Sequence, residues 1–158
     1  MPLILLQFMR HITAYKQMIG AALWSGCLLL GLPVRAQDSL QIDAIDSDLE
    51  YGVIANETGI CRMNDRGSLL GLSGQNCLGS GSPATFTING DPGLVIFITA
   101  VGSTNGLGVE FDPTISGSAT RVISFNGSTT LTIVGDLILN NAQGGSHSLQ
   151  YLVNINYE

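Results

Sequence analysis

The sequence has few positively charged side chains, since its 158 residues contain six Lys and Arg against twelve Asp and Glu. The imbalance is larger beyond residue 36, where three arginines oppose all twelve acidic residues and the formal charge is −9. Such a surface repels nucleic-acid phosphates and anionic lipid headgroups. We therefore expect no nucleic-acid partner.

Residues 37–158 also lack lysine and tryptophan, and they contain one histidine, His147. His147 lies between Ser146 and Ser148, but a catalytic triad also needs a carboxylate that orients the base and donors for an oxyanion. The glycines just upstream favour a polar residue in an exposed turn. We predict that the protein is not an enzyme and uses no cofactor.

Four acidic residues are closely spaced near the start of this region: Asp43, Asp46, Asp48 and Glu50. Clustered carboxylates suit calcium, but the spacing lacks the glycine and the distal glutamate of an EF-hand loop. A solvated acidic face that discourages pairing between sheet edges is the commoner explanation. We predict no metal site.

The N-terminal region has the pattern of an export signal. Basic residues precede an apolar run over residues 18–32, and Val34 and Ala36 fit the small-residue cleavage pattern. The run is shorter than the roughly 20 residues of a membrane span. We predict a signal peptide over residues 1–36, with translation starting at Met1 or Met9, and a single domain over residues 37–158 that does not insert into the membrane.

Cys61 and Cys77 are the two cysteines that remain after such cleavage. In an exported protein an even pair indicates a disulfide, and two free buried thiols are the alternative. The fifteen residues between them would close a loop that stabilises the fold by about 3 kcal/mol in the chain-entropy model.

No stretch of residues 37–158 has a helical period. Short runs rich in Val, Ile, Thr and Phe alternate with glycine, asparagine and serine, which predicts an all-β antiparallel sandwich of eight or nine short strands. Asn126-Gly127 predicts a hairpin between residues 121–125 and 130–134. Gly135 predicts a bulge or bend that interrupts the next strand.

The first and last predicted strands are both one-sided. Successive side chains of a strand point to opposite faces. Leu40, Ile42 and Ala44 therefore share one face near the start. At the other end the apolar face carries five residues: Leu149, Tyr151, Val153, Ile155 and Tyr157.

Three blocks, residues 48–53, 82–93 and 131–158, together resemble the bacterial exported family known as domain of unknown function 4402. Tyr51 replaces the usual phenylalanine of the first block, and the cysteine pair is not part of the family pattern. The last block also resembles the end of chaperone–usher pilus subunits, with Gly144 and Gly145 before an alternating strand and a penultimate tyrosine.

This resemblance implies an immunoglobulin-like, pilin-like sandwich in the periplasm, at the cell surface or secreted, without an established activity. It implies strand addition to a periplasmic chaperone or to identical subunits through the apolar residues of the last strand. Leu40, Ile42 and Ala44 would be either a donor strand or the first strand of the fold. The alternative function is a self-complete binding module whose loops take a carbohydrate, a matrix component or calcium.

Overall fold

The computed structural model describes residues 4–6, 39–55, 57–74 and 77–158. These residues form strands in mainly antiparallel sheets and no helix, which confirms the predicted all-β fold. No helix long and apolar enough to cross a membrane occurs among them. The predicted signal peptide lies outside the described residues except for Ile4–Leu6.

Six of the fourteen strands have two or three residues, and eight are longer. The count of longer strands therefore agrees with the eight or nine predicted. In chain order the strands are β1 Ile4–Leu6, β2 Gln41–Ser47, β3 Val53–Ile54, β4 Gly59–Met63, β5 Leu69–Leu72, β6 Cys77–Leu78, β7 Ala84–Asn89, β8 Val95–Val101, β9 Ser103–Thr104, β10 Val109–Ile115, β11 Thr120–Val122, β12 Ser128–Leu139, β13 Gly145–His147 and β14 Leu152–Tyr157.

The largest sheet has seven strands, of which five follow the order β2-β7-β12-β10-β9. Strand β12 is long enough to pair with β7 through residues 128–133 and with β4 through residues 135–139, and β4 pairs in turn with β5. A three-stranded sheet has the order β11-β8-β14, and a four-stranded sheet has the order β13-β1-β3-β6.

One hydrophobic cluster joins the three sheets in a sandwich-like arrangement. Its buried members come from β4, β7, β10 and β12 of the large sheet, from β8 and β14 of the three-stranded sheet, from β3 of the four-stranded sheet and from the connecting segments. Phe111 in this cluster makes edge-to-face ring contacts with Tyr51 and Tyr151, with centroid distances of 6.0 Å and 5.7 Å. Edge-to-face geometry is the favoured arrangement of aromatic pairs.

Cys61 and Cys77 form a disulfide, with their Cα atoms 5.9 Å apart. The bond links β4 of the seven-stranded sheet to β6 of the four-stranded sheet. The disulfide therefore links two sheets covalently that are not joined to each other by a ladder of backbone hydrogen bonds. Such a bond is typical of proteins that fold in an oxidising compartment outside the cytoplasm.

Two local predictions are wrong. The turn at Asn126-Gly127 forms, with the Gly127 N–H donating to Ser124 O at 2.9 Å. The flanking segments do not pair as a hairpin, because β11 pairs with β8 while β12 pairs with β7 and β10. Gly135 does not interrupt β12, which runs unbroken from Ser128 to Leu139.

The glycine at position 135 has a packing role instead. A Cβ placed on Gly135 would lie 2.2 Å from the Asp112 carbonyl oxygen, and its φ of +156° is one that side-chain-bearing residues rarely adopt. Its carbonyl accepts a 2.5 Å hydrogen bond from the buried Tyr51 hydroxyl. The glycine therefore allows close contact between β12, β10 and Tyr51.

Candidate functional site

A short strand occupies a narrow position between two other strands in the four-stranded sheet. Strand β1 pairs in parallel with β13, placing Ile4 opposite Gly145 and Leu6 opposite His147. On its other side β1 pairs antiparallel with β3, with Ile4 opposite Ile54. We call this position between β13 and β3 the slot.

Each side of the slot carries one buried side chain. The Ile54 side chain on β3 is fully buried, and His147 on β13 is 4% exposed. Gly145 has a φ of +134°, a backbone conformation that favours glycine, and the space around its missing Cβ is open. An occupant of the slot therefore adds backbone hydrogen bonds to two strands that already contribute to the core.

The placement of His147 differs from the exposed turn that the sequence predicts. His147 is the buried polar side chain among the residues whose burial is described. Its Nδ1 lies 2.9 Å from Asn105 Nδ2, and its Nε2 lies 2.6 Å from the Gln143 carbonyl oxygen. Both ring nitrogens are thus hydrogen-bonded, which is the usual requirement for a buried imidazole.

The last apolar face lies on the core side, although regular pairing begins only at Leu152. Leu149 and Val153 are buried, while Tyr151, Ile155 and Tyr157 are half-buried and pack against the core. Gln150 and Asn156, on the other face, are exposed. The Tyr157 hydroxyl also accepts a 2.8 Å hydrogen bond from the Asp91 N–H, which attaches the strand to the turn after β7.

Strand β14 has an open outer edge. Its ladder with β8 is continuous, and the Glu158 N–H donates to Val95 O at 3.0 Å beyond its end. Hydrogen-bonded pairs alternate along an antiparallel ladder. The N–H and C=O groups of Val153 and Ile155 therefore point away from β8, and no described residue pairs with them on that side.

Leu40, Ile42 and Ala44 lie in or beside β2, which pairs with β7 of the same chain. The register shifts between Ile42 and Ala44 and again between Ile45 and Ser47. Beyond the first of these shifts, Ile45 packs against the core together with Leu40 and Ile42. In the structure this segment is the fold's own strand at one edge of the large sheet.

In the described part of the chain, no three His, Cys, Asp or Glu side chains are close enough to hold a metal ion. Arg62 donates two hydrogen bonds to the Asp136 carboxylate, at 2.7 and 2.6 Å. These bonds raise the pKa of the Arg62 guanidinium. Burial, with a smaller contribution from the Asp136 charge, raises the pKa of the Tyr51 hydroxyl.

Comparison with protein-family models found no match to the chain. Comparison with curated proteins found no similar sequence. The resemblance to domain of unknown function 4402 and to pilus subunits therefore stays a prediction.

Proposed function

We propose that this chain is an exported structural or assembly protein of the bacterial envelope, of the pilus-subunit type, that takes up a β-strand from a partner. The observation that carries the proposal is the slot between β13 and β3. In the full chain its occupant is Ile4–Leu6, which belongs to the predicted signal peptide. Cleavage after Ala36 would remove that occupant from the exported protein.

A strand from another chain can replace β1 by the same physical interaction. Main-chain hydrogen bonds provide the affinity in strand addition, and the alternating side chains determine the register. Without β1, the edges of β13 and β3 would expose backbone donors and acceptors beside the buried Ile54 and His147. Leaving such groups unpaired next to a core is costly.

The last strand supports the proposal through its outer edge. The backbone groups of Val153 and Ile155 on this edge are available for pairing, while their side chains pack inward. A periplasmic chaperone or a second subunit is the class of partner that supplies such a strand. The disulfide between Cys61 and Cys77 agrees with folding in an oxidising envelope compartment.

The experiment uses protein purified from the envelope fraction of cells that express the full chain, and a fluorescent peptide of residues 2–8. We expect the peptide to bind, as measured by fluorescence anisotropy. The control is the same peptide with Leu5→Pro, which lacks the central N–H and cannot complete the ladder. We expect it to bind at least about tenfold more weakly, since buried hydrogen bonds would be lost.

A second candidate function is the self-complete binding module. A surface cavity of about 430 Å³ has lining residues that carry no charge: Ser39, Gln41, Asn89, Gly90, Pro92 and Gly127. Uncharged polar side chains of this kind suit a neutral ligand such as a carbohydrate. Purified protein that is a monomer with a cooperative melt, and that binds neither peptide, would favour this module over the strand-accepting subunit.

A further inference from the structure

The β9–β10 turn, residues 103–109, contacts the segment that forms one side of the slot. The Gln143 N–H donates to Leu107 O at 3.2 Å, just before β13. The Ser103 hydroxyl donates to Gln150 O, just after β13. Between these two contacts, Asn105 reaches the buried ring of His147. The turn therefore contacts the chain at three points: just before β13, at His147 within it, and just after it.

Asn105 is itself fixed in one orientation. Its side-chain oxygen accepts hydrogen bonds from the Leu107 N–H at 2.9 Å and from the Val109 N–H at 3.3 Å. The amide nitrogen is therefore directed at His147 and donates to Nδ1. The ring proton must then lie on Nε2, which donates to Gln143 O. A reversed amide would lose both backbone bonds of the turn.

The β9–β10 turn is itself hydrogen-bonded to the end of β12 in the large sheet. The Asn140 N–H donates to Gly108 O at 2.8 Å, and a Cβ on Gly108 would lie 2.4 Å from the Asn140 carbonyl oxygen. Gly108 also has a φ of +80°. The position of the turn relative to the end of β12 is therefore closely defined, and Asn105 transmits that position to β13.

We propose that the hydrogen bond between Asn105 and His147 sets the position of β13 and thereby the width of the slot for an incoming strand. His147 and Asn105 are positioning residues, because they act through β13 and not through contact with the partner. This inference rests on the proposed strand-accepting function and assigns a role to the one buried polar side chain described.

Two substitutions of His147 separate its two hydrogen bonds. In His147→Asn the side-chain oxygen can take the place of Nδ1 as acceptor for Asn105. In His147→Gln the longer amide can reach Gln143 O as donor but leaves Asn105 without its acceptor. Asn105→Ala removes the same bond from the other side, together with the two turn bonds that the Asn105 side-chain oxygen accepts. Ser47→Ala on β2 is the control, and it removes a 2.7 Å bond to Pro83 O and a 2.9 Å bond to the Thr85 hydroxyl.

The measurement is the affinity for the peptide of residues 2–8, with the melting temperature of each variant recorded in parallel. We expect His147→Gln and Asn105→Ala to bind about fivefold more weakly, as loss of one buried hydrogen bond implies. His147→Asn and Ser47→Ala should bind within about twofold of wild type. If His147→Gln does not fold, Asn105→Ala tests the same bond.

Three results would overturn the inference. Folded His147→Gln or Asn105→Ala that binds as tightly as wild type would show that the bond does not position β13. Equal weakening in Ser47→Ala would show that affinity follows stability alone. Wild-type protein that fails to bind the peptide would refute the proposed function as well, whereas in the first two cases that function stands.

Discussion

Strands β2 and β14 both lie at an edge of a sheet, and their edges differ in regularity and charge. Strand β2 carries Asp43 and Asp46, and its register with β7 shifts twice within seven residues. Strand β14 contains no charged residue and keeps one register with β8 along its whole length. Bulges and charges are common means by which edge strands avoid pairing with other chains.

The difference indicates that, of these two edges, β2 is the one protected against strand addition. The Asp46 carboxylate also accepts a hydrogen bond from the Thr87 hydroxyl at 3.1 Å, which holds the acidic side chain beside the sheet. The described residues of β14 include neither a charged side chain nor a register shift. Under the proposed function, β2 completes the fold, while β13 and β14 are the strands with which a partner would pair.

The largest effect should come from placing a charge on the core side of β14. Ile155→Asp places an unpaired carboxylate where the Ile155 side chain packs against the core. Burying such a charge should lower the free energy of unfolding by roughly several kcal/mol. We expect no soluble exported protein, by immunoblot of envelope fractions. Truncating residues 154–158 should have the same result.

Asn154→Asp is the matched control, since Asn154 lies opposite the exposed Thr99 on the other face. We expect wild-type amounts of this variant. Equal damage from Asp at 154 and 155 would contradict the one-sided packing of β14.

Loss of the disulfide should be the next largest effect. Cys61→Ser should reduce the free energy of unfolding by about 2–5 kcal/mol, measured by chemical denaturation of exported protein. Thiol labelling of denatured, unreduced wild-type protein should modify neither Cys61 nor Cys77. Labelling of both would refute the bond.

The protection of β2 can be tested by removing its charges. The double variant Asp43→Ser, Asp46→Ser should change stability by little, since both side chains are exposed. We expect it to increase concentration-dependent association, measured by light scattering, because the acidic edge would no longer repel other chains. Unchanged association would mean that the bulges alone protect this edge.

Among the variants expected to lose stability, the smallest loss concerns the hydrogen bond between Tyr51 and β12. Tyr51→Phe removes the donor to Gly135 O and should cost about 1 kcal/mol, again by chemical denaturation. Phenylalanine preserves the ring contact with Phe111. A loss as large as that of Cys61→Ser would mean that the hydroxyl supports more than this one bond.

The sequence was sufficient for features that depend on local patterns. Short apolar runs between turn residues indicated the all-β fold, and export context with an even cysteine count identified the bond between Cys61 and Cys77. The turn at Asn126-Gly127 also formed, because asparagine and glycine tolerate the required backbone angles.

Features that depend on distant partners could not be predicted in the same way. Strand β11 pairs with β8 and not with its neighbour in sequence, and the bulges of β2 have no strong local signal. The burial of His147 depends on Asn105, which lies 42 residues away. A polar residue between glycines and serines gives no sign of that contact.

The buried hydroxyl of Tyr51 gives the protein an optical property that can report on folding. Residues 37–158 contain no tryptophan and three tyrosines, Tyr51, Tyr151 and Tyr157. Because burial raises the pKa of Tyr51, its phenol should stay protonated in alkaline solution at which an exposed tyrosine, with a pKa of about 10, ionises.

A raised pKa in the folded state means that the unfolded chain releases this proton first as the pH rises. The contribution of Tyr51 to stability is therefore complete below about pH 10 and decreases above it. In an alkaline absorbance titration, Tyr51 should ionise only as the domain unfolds. The tyrosinate signal of this one residue would then mark the opening of the core without any added label.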